Sequence, residues 1–496
     1  MPSALIGLAS SGSAAALMLP GLVIGPSLDA GVFALVGARL RSGAFPYVGT
    51  WDHKPPGIYL ADAAAGAIFP GHPWLAAWLV TVVALGATGV VLAASLHRLG
   101  YTWEAPVVAI AAVGGMAQFI VSLGGGLTEQ LAVVPAAAAF ALAIRQPHAR
   151  GWLVVGILAA AAVGTSLPAI SLIAALAVLA VDGPRTTRNL LNMLLGGMMV
   201  VVAAALLLGV AGALPATADA LIHYNLVFRA ATFINAGGGT AGVSGATLSL
   251  VYLVVPAALG ALAARRSRDG LVRRVALAAV GWASAAVVLY FVQGRFESHY
   301  AALLPVPLAY LAAGGLRHTQ QLVGRLRRRR WLPIAPLGIG VLVSAGVIAT
   351  SSPIMIAAIG ADAARSHTIG LYLQGHVATS ESIFVWGNAP QVYLEAQRPA
   401  ASRYVYAYPL TTPGYSSPEQ VAGLIAELSA RPPAMIVDAG SPAPGVPGLP
   451  PLLVPRPVAT DGRDYDALDP LRAWVRANYR LIATVSGWPV YSRRGG

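Results

Sequence analysis

The chain has 496 residues, of which 57% are hydrophobic and only 10% are charged. A soluble domain carries about a quarter charged residues, so this balance excludes a water-soluble protein. The formal charge of +13 comes from arginines in short segments between apolar runs, which is typical of the positive-inside rule and not of nucleic-acid binding.

Uncharged apolar runs recur from the N-terminus to about residue 360, and each is long enough to cross the roughly 30 Å hydrocarbon core as a helix. The first, 4–25, lacks a basic n-region and a cleavage site, so we expect a retained span and not a signal peptide. The run 151–181 is too long for one span, and Thr165-Ser166-Leu167-Pro168 in its middle predicts a turn between two short helices. Further single spans are predicted at about 73–96, 105–124, 130–144, 189–212, 246–264, 275–292, 300–316 and 332–350, for about eleven in all.

The basic residues predict the orientation of these spans. Arg145 and Arg150 before the long run, and Arg185 and Arg188 after it, should stay cytoplasmic, so the run crosses an even number of times. A cytoplasmic N-terminus then places the following segments on the outer face: 26–72, 125–129, 213–245 and 293–299. An odd number of spans also places the C-terminus outside.

Residues 351–496 differ in composition from the apolar region, 1–350. Charges and prolines become more frequent, and the β-rich pieces Ser382–Gly387 and Ala434–Asp438 alternate with helical stretches. The segment 441–455, rich in proline and glycine, predicts a loop. The predicted fold is therefore a polytopic α-helical membrane protein of about 11 transmembrane helices, followed by a small extracytoplasmic α/β domain.

The carboxylates of the apolar region concentrate on the predicted outer face. Six are placed there: Asp29, Asp52, Asp62, Glu129, Asp219 and Glu297. An ionised group in the middle of a span costs about 2.5 kcal/mol or more and usually marks an ion or proton path. No carboxylate is predicted at such a depth, which disfavours a coupled transporter.

The most informative outer segment is 26–72, which contains Asp29, Pro46-Tyr47 and the run Trp51-Asp52-His53-Lys54-Pro55-Pro56-Gly57-Ile58-Tyr59. Its aromatic and proline content suits the membrane interface. From pattern alone, an interfacial anchor in which Asp29 caps a helix explains this segment as well as a catalytic site does.

The segment resembles the GT-C glycosyltransferases, specifically the bacterial relatives of protein O-mannosyltransferases and of the aminoarabinose transferase that modifies lipid A. Trp51–Tyr59 is the specific part of the match. The order continues with supporting elements: Thr128-Glu129, Gly294–Tyr300 leading into Pro305, and Val385-Trp386-Gly387. The family often has Asp-Glu where this chain has Asp29-Ala30, so a role for a second carboxylate does not carry over.

The resemblance implies a GT-C fold and an inverting transfer of a hexosyl or pentosyl group. The donor would be a polyprenyl-phosphate-linked sugar, and the acceptor a glycan, lipid or protein at the outer face of the bacterial inner (cytoplasmic) membrane. Asp29 would act as general base, a role that a partly desolvated carboxylate suits. Lys54, Arg295 and His299 are the candidates for binding the donor phosphate, because the leaving group needs cationic donors. Membrane lipids are further partners, and nucleic acid is not.

A wider set of residues is predicted to contact substrate: Tyr47, Asp52, His53, Tyr59, Glu129, Tyr224 and Asn225. Glu129 also fits a helix-start residue stabilised by the helix dipole. The segment with Tyr224 and Asn225 is either a mobile loop that gates the acceptor or a plain connector. For Arg295 and His299 the alternatives are a snorkelling arginine and a core histidine.

Absent motifs limit the donor. Lys54 is the single lysine and no P-loop glycines precede it, which excludes a P-loop ATPase. No Gly-x-Gly-x-x-Gly opens a strand–turn–helix unit, and the inner loops are too short for a nucleotide-sugar domain. The donor must therefore reach the site from the outer face or from within the bilayer.

Two questions stay open at the level of the sequence. The absence of cysteine excludes thiolate metal sites, whereas the outer carboxylates leave a divalent metal open as a cofactor that no ligand spacing requires. The alternative function is a non-catalytic polyprenyl-lipid or sugar transporter or assembly subunit. Such a protein would use the same basic and aromatic residues without needing Asp29.

Overall fold

The computed structural model describes residues 2–145, 148–181, 183–234, 240–293, 297–325, 334–440, 452–453 and 466–495. The helices of the first part are α1 (Ser3–Ile24), α2 (Leu28–Arg41), α3 (Gly57–Ile68), α4 (Pro73–Arg98), α5 (Glu104–Ala117), α6 (Phe119–Ser122), α7 (Thr128–Ile144), α8 (Ala149–Val163), α9 (Leu172–Ala180) and α10 (Thr186–Val210). The later helices are α11 (Leu214–Ala218), α12 (Asn225–Ile234), α13 (Thr240–Ser249), α14 (Val251–Arg265), α15 (Gly270–Val292), α16 (Pro305–Arg325), α17 (Ala335–His376), α18 (Gln391–Ala396), α19 (Tyr408–Thr411), α20 (Pro418–Ala430) and α21 (Asp469–Asn478).

Five of the described helices are long and apolar enough to cross a membrane: α1, α4, α10, α15 and α17. Shorter apolar helices occupy most of the other predicted spans, namely α5, α7, α8, α9 and α14. The chain is thus a polytopic helical protein, while the number of crossings, about eleven, stays a prediction.

The predicted turn within the run 151–181 is confirmed. Helix α8 ends at Val163, a short 3-10 turn covers Leu167–Ser171, and α9 follows. Pro168 lies at the start of the turn, where its missing N–H leaves no hydrogen bond unmade. In contrast, the run 105–124 is not one helix, because Gln118 adopts an extended backbone (ψ 141°) between α5 and α6.

Small residues allow the helices of the bundle to approach closely. A Cβ atom added to Gly260 of α14 or to Gly315 of α16 would collide with backbone atoms of the facing helix. Gly156 of α8 and Gly196 of α10 make the same kind of contact. Such pairs are typical of helix association in membranes, where apolar burial provides no driving force between helices and close packing replaces it.

A four-stranded sheet forms the centre of the C-terminal region. Its strands are β1 (Ile383–Gly387), β2 (Met435–Ala439), β3 (Tyr479–Val485) and β4 (Trp488–Arg493), in the order β1-β2-β4-β3. β1 and β2 pair in parallel, and the other pairs are antiparallel. The two predicted β-rich pieces are confirmed as β1 and β2, and both are fully buried. The predicted loop 441–455 lies outside the described residues except for 452–453.

The boundary that the sequence predicted at residue 350 is wrong in position. Helix α17 continues across it from Ala335 to His376, so the helix ends 26 residues after the predicted boundary (376 against 350). Residue 350 marks a change in amino-acid composition and not the end of a helix. An α-helix satisfies its backbone hydrogen bonds internally, so it can continue across such a change.

The outer segment 26–72 packs directly on the C-terminal region. Phe33 and Trp51 share one buried cluster with Trp386 and Tyr406. Arg39 donates hydrogen bonds to the carbonyl oxygens of Ser402 and Gly49, both at 3.0 Å. The outer segment and the sheet therefore form one packed body above the helix bundle.

A reporter fusion tests the predicted orientation. A phosphatase fused after Gly496 should be active and a cytoplasmic reporter at the same position silent, because the arginine-rich ends of the spans are expected to stay inside. The same phosphatase fused after Arg268, in the basic connection between α14 and α15, is the control and should be inactive. The reverse pattern would contradict the outer-face placement of the candidate active site.

Candidate active site

A cavity of about 360 Å³ lies between α2, the Trp51–Tyr59 segment, the turn before α16, α17 and the sheet. Asp29, Lys54 and His299, which the sequence predicts as a base and as phosphate ligands, all line it. Three distant parts of the chain therefore meet at one place, as the resemblance implied.

Asp29 lies in the first turn of α2 and is not its cap. The N-cap is Ser27, whose Oγ accepts a hydrogen bond from the backbone N–H of Ala30 at 3.4 Å. The interpretation of Asp29 as a capping residue is thus wrong, since the neighbouring serine already fills that position. The Asp29 side chain is 33% exposed and lines the cavity.

His299 is buried and faces Asp29. Its Nε2 lies 3.9 Å from Asp29 Oδ2, which is too long for a hydrogen bond but close enough for an electrostatic contact. Its Nδ1 is buried and has no hydrogen-bond partner among the described residues. The structure therefore places His299 beside the predicted base.

Helix α18 of the C-terminal region holds the start of α2. A Cβ atom on Gly31 would lie 2.9 Å from Gln391 Cγ, so a larger residue would require the Gln391 side chain to shift. The Gln391 amide also donates a hydrogen bond of 3.4 Å to the carbonyl of Pro26. These two contacts position the turn that carries Asp29.

The backbone of Lys54 is held by two tyrosines. Tyr47 donates a hydrogen bond of 2.8 Å from its hydroxyl to the Lys54 carbonyl, and the Lys54 N–H donates to the Tyr59 hydroxyl at 3.2 Å. The Lys54 ammonium lies 5.7 Å from the ring centroid of Tyr300, within the range of a cation–π contact. Tyr47 and Tyr59, predicted to contact substrate, do not line the cavity and instead position the lysine.

Asp52 connects the outer segment to the C-terminal region. It is 2% exposed, and its carboxylate accepts hydrogen bonds from Tyr59 at 2.5 Å and Tyr406 at 2.6 Å, with His53 Nδ1 at 3.2 Å. Burial by itself raises the pKa of Asp52, but the hydrogen bond and charge of His53, with the two tyrosines, outweigh burial and lower that pKa. Asp52 is therefore ionised at neutral pH and acts as an anchor, although it and His53 also border the cavity.

Tyr406→Phe is expected to destabilise the protein, because it removes a hydroxyl donor from the buried Asp52 carboxylate. A hydrogen bond to a charged group contributes about 1.5–3 kcal/mol, so the thermal unfolding midpoint in detergent should fall clearly. Tyr372→Phe is the matched control, since Tyr372 is half-buried and stacks on His376 through its ring. Equal midpoints for the two variants would contradict the anchoring role.

Glu129, Tyr224 and Asn225 do not line the cavity. Glu129 is buried at the start of α7 and accepts a hydrogen bond of 3.0 Å from Ser166, so it ties α7 to the turn after α8. The Tyr224 ring packs edge-on against Trp51 with centroids 4.7 Å apart. The Asn225 amide donates to the carbonyl of His53 at 3.0 Å. Tyr224 and Asn225 therefore support the outer segment, whereas Glu129 connects two parts of the helix bundle. Arg295 lies outside the described residues.

The sequence did not predict the contribution of α17. Arg365 and Asp362, whose charges lie 4.0 Å apart, line the cavity together with the apolar Met355 and Ile359 one to two turns earlier. An i,i+3 charge pair directly after an apolar run was the available signal. Other lining residues found only in the structure are Glu297, Asn388, Tyr408 and Trp488.

In the described part of the chain, the outer-face carboxylates do not form a cluster that could bind a metal ion. Across the described ranges, no group of three or more His, Asp or Glu side chains is arranged to hold a metal ion. Asp52 has both of its oxygens engaged by tyrosine hydroxyls, as described above.

Comparison with known proteins gives matches among solved structures alone: no family model and no curated protein matches the sequence. The crystal structure of ArnT from Cupriavidus metallidurans bound to undecaprenyl phosphate is similar at a TM-score of 0.56 and 15% identity, covering 100% of this chain and 99% of that chain. The apo state of the same protein matches at 0.53 and 14%, covering 94% and 93%. An archaeal oligosaccharyltransferase, AglB from Archaeoglobus fulgidus, matches at 0.45 and 12%, covering 88% and 69%. At these identities the likeness to ArnT shows a shared fold, so the predicted similarity to GT-C enzymes is confirmed for the fold.

Proposed function

We propose that the chain is a membrane glycosyltransferase that moves a hexosyl or pentosyl group from a polyprenyl-phosphate donor to an acceptor, with inversion at the anomeric carbon. The reaction takes place at the outer face of the bacterial cytoplasmic membrane, where the segment 26–72 and the C-terminal α/β region lie. The observation that carries this proposal is the cavity shared by Asp29, Lys54 and the apolar side of α17.

The chemical step uses Asp29 as the base. The acceptor hydroxyl attacks the anomeric carbon while Asp29 takes the hydroxyl proton, and the bond from that carbon to the phosphate oxygen breaks. Polyprenyl phosphate leaves with the bonding electron pair. A positioned base contributes typically 10²–10⁴-fold to such a reaction. Val32 and Phe33, apolar residues of the same helix, line the cavity together with Asp29.

Lys54 stabilises the charge that develops on the leaving phosphate. A fixed cation aimed at that charge acts strongly in a cavity with little water. Arg365 of α17 lines the same cavity and is a second cation available to the phosphate. His299 positions Asp29 by its electrostatic contact with Oδ2.

In this proposal, the polyprenyl chain of the donor lies along α17. Met355, Ala358 and Ile359 of α17 line the cavity, as do Leu28 and Val32 of α2. These side chains offer an apolar surface to an isoprenoid. The likeness in fold to ArnT bound to undecaprenyl phosphate supports the same class of donor.

The rival is a non-catalytic transporter or assembly subunit that only binds the lipid. The test uses the purified full chain in proteoliposomes, radiolabelled sugars on polyprenyl phosphate, and envelope membranes from a strain lacking the protein as acceptor. We expect label to move from donor to acceptor. Binding of the donor without transfer would favour the rival, and absence of both would contradict either function.

A further inference from the structure

A second cavity, of about 1040 Å³, lies where the ends of α4, α7 and α9 meet the start of α15. The other end of α15 leads to the turn that carries Glu297 and His299 of the candidate active site. Because α15 has 23 residues, the two sites lie roughly 35 Å apart along one helix. The second cavity is therefore on the face predicted to be cytoplasmic.

Four arginines line this cavity: Arg98, Arg145, Arg273 and Arg274. They come from three different helix ends, so the fold gathers them. Ion pairs of other arginines are present, such as Arg317 with Glu104 at 3.0 Å, but none of these four has one in the described part of the chain. Arg274 Nη1 is buried there without a hydrogen-bond partner.

The carboxylate of Asp269, directly before α15, is not among the residues that line this cavity. Asp269 caps α15 and accepts hydrogen bonds from the backbone N–H groups of Leu271 at 2.8 Å and Val272 at 3.2 Å. Among the described residues, four arginines against this one carboxylate leave a net positive charge at the cavity, and a buried guanidinium nitrogen without an acceptor is costly. The site is therefore suited to an anion.

The rest of the wall is apolar. Leu99, Ile144, Val178, Val181, Leu271 and Leu277 line the cavity beside the arginines. Val181 and Leu277 are 53% and 61% exposed, which in a membrane means contact with lipid chains. A soluble phosphate would use only the arginines, whereas an anionic lipid uses both the charged and the apolar part.

We propose that this cavity binds the phosphodiester head group of an anionic phospholipid from the cytoplasmic leaflet, with its acyl chains against α9 and α15. Guanidinium groups bind phosphate through short charge-assisted hydrogen bonds. Basic pockets between helices on the cytoplasmic side are suited to such head groups. The proposal depends on the orientation of the chain and not on glycosyl transfer.

Native mass spectrometry of the detergent-solubilised full chain tests the site. The chain is titrated with dioleoyl phosphatidylglycerol and, separately, with dioleoyl phosphatidylcholine. We expect Arg273→Gln with Arg274→Gln to weaken phosphatidylglycerol binding by about 5-fold per arginine, roughly 25-fold together, and to leave phosphatidylcholine unchanged. The matched control is Arg265→Gln with Arg266→Gln, which removes two exposed arginines at the end of α14 that do not line the cavity.

A second double variant, Arg98→Gln with Arg145→Gln, removes the arginines contributed by the ends of α4 and α7. It serves as an independent test if the first variant does not fold, and the same loss of phosphatidylglycerol binding is expected. Equal phosphatidylglycerol binding in the cavity variants and in the control would overturn the proposal, because the attraction would then be a general surface effect. Displacement of phosphatidylglycerol by millimolar inorganic phosphate would also overturn it, since the site would then take a free anion.

Discussion

Asp29→Asn is expected to lower the rate of sugar transfer by about 10²-fold or more while leaving folding and donor binding intact. Asparagine is nearly isosteric with aspartate but cannot accept the acceptor's proton at neutral pH. Ser27 supplies the cap of α2, so the substitution removes no capping hydrogen bond. Single-turnover transfer from radiolabelled donor, with donor affinity measured in parallel, separates the chemical step from binding.

The control for this variant is Asp219→Asn, which changes another outer-face carboxylate in the same way. Asp219 accepts a hydrogen bond from Tyr415 and does not line the cavity. The Asp219→Asn variant should therefore transfer sugar at a nearly normal rate. Near-normal transfer by Asp29→Asn would mean that the carboxylate only stabilises the first turn of α2 through the helix dipole. The proposed mechanism would then lose its base.

Lys54→Met is expected to weaken binding of the polyprenyl-phosphate donor by about 1.5–3 kcal/mol, the range for a hydrogen bond to a charged group. Lys54→Arg keeps the charge, but we expect it to impair transfer. A guanidinium is planar and bulkier than the compact ammonium, and the backbone cannot shift to compensate. Tyr47 and Tyr59 hold that backbone by hydrogen bonds, and Pro55 restricts it further.

Donor affinity and turnover, measured for both lysine variants, decide this prediction, and thermal unfolding of each variant checks its fold. Arg365→Met is the comparison, because it removes another cation that lines the same cavity. Wild-type values in Lys54→Met would make the lysine an interfacial anchor. The phosphate site would then lie at Arg365, or at the predicted Arg295 and His299.

Elements decided by local composition were predictable from the sequence. The turn between α8 and α9 follows from Pro168, and the strands β1 and β2 follow from short apolar pieces bounded by breakers. The Trp51–Tyr59 motif, through its resemblance to a known family, pointed to a segment that borders the cavity. Asp29 and Lys54 were both found in this way.

The roles of the other motif residues depended on contacts that no local pattern contains. Tyr59 and Asp52 were predicted to contact substrate, and their hydrogen bonds add a supporting role for Lys54 and the C-terminal region. Asp52 also lines the cavity, whereas Tyr59 does not. The partner of Asp52, Tyr406, is 354 residues away in the chain. A contact between residues so far apart in the chain leaves no periodic pattern in a single sequence, so it could not be predicted from the sequence.

The sequence by itself determined that this is a polytopic helical protein and which segment holds the predicted base and phosphate ligand. Hydrophobic length and charge distribution are properties of single segments, and the membrane constrains each segment separately. The tertiary structure alone decided that α17 crosses residue 350, that Arg365 joins the cavity, and that four arginines meet at the opposite end of the bundle. Those features arise from the packing of helices far apart in the chain, which depends on the shapes of facing surfaces and not on the composition of either one.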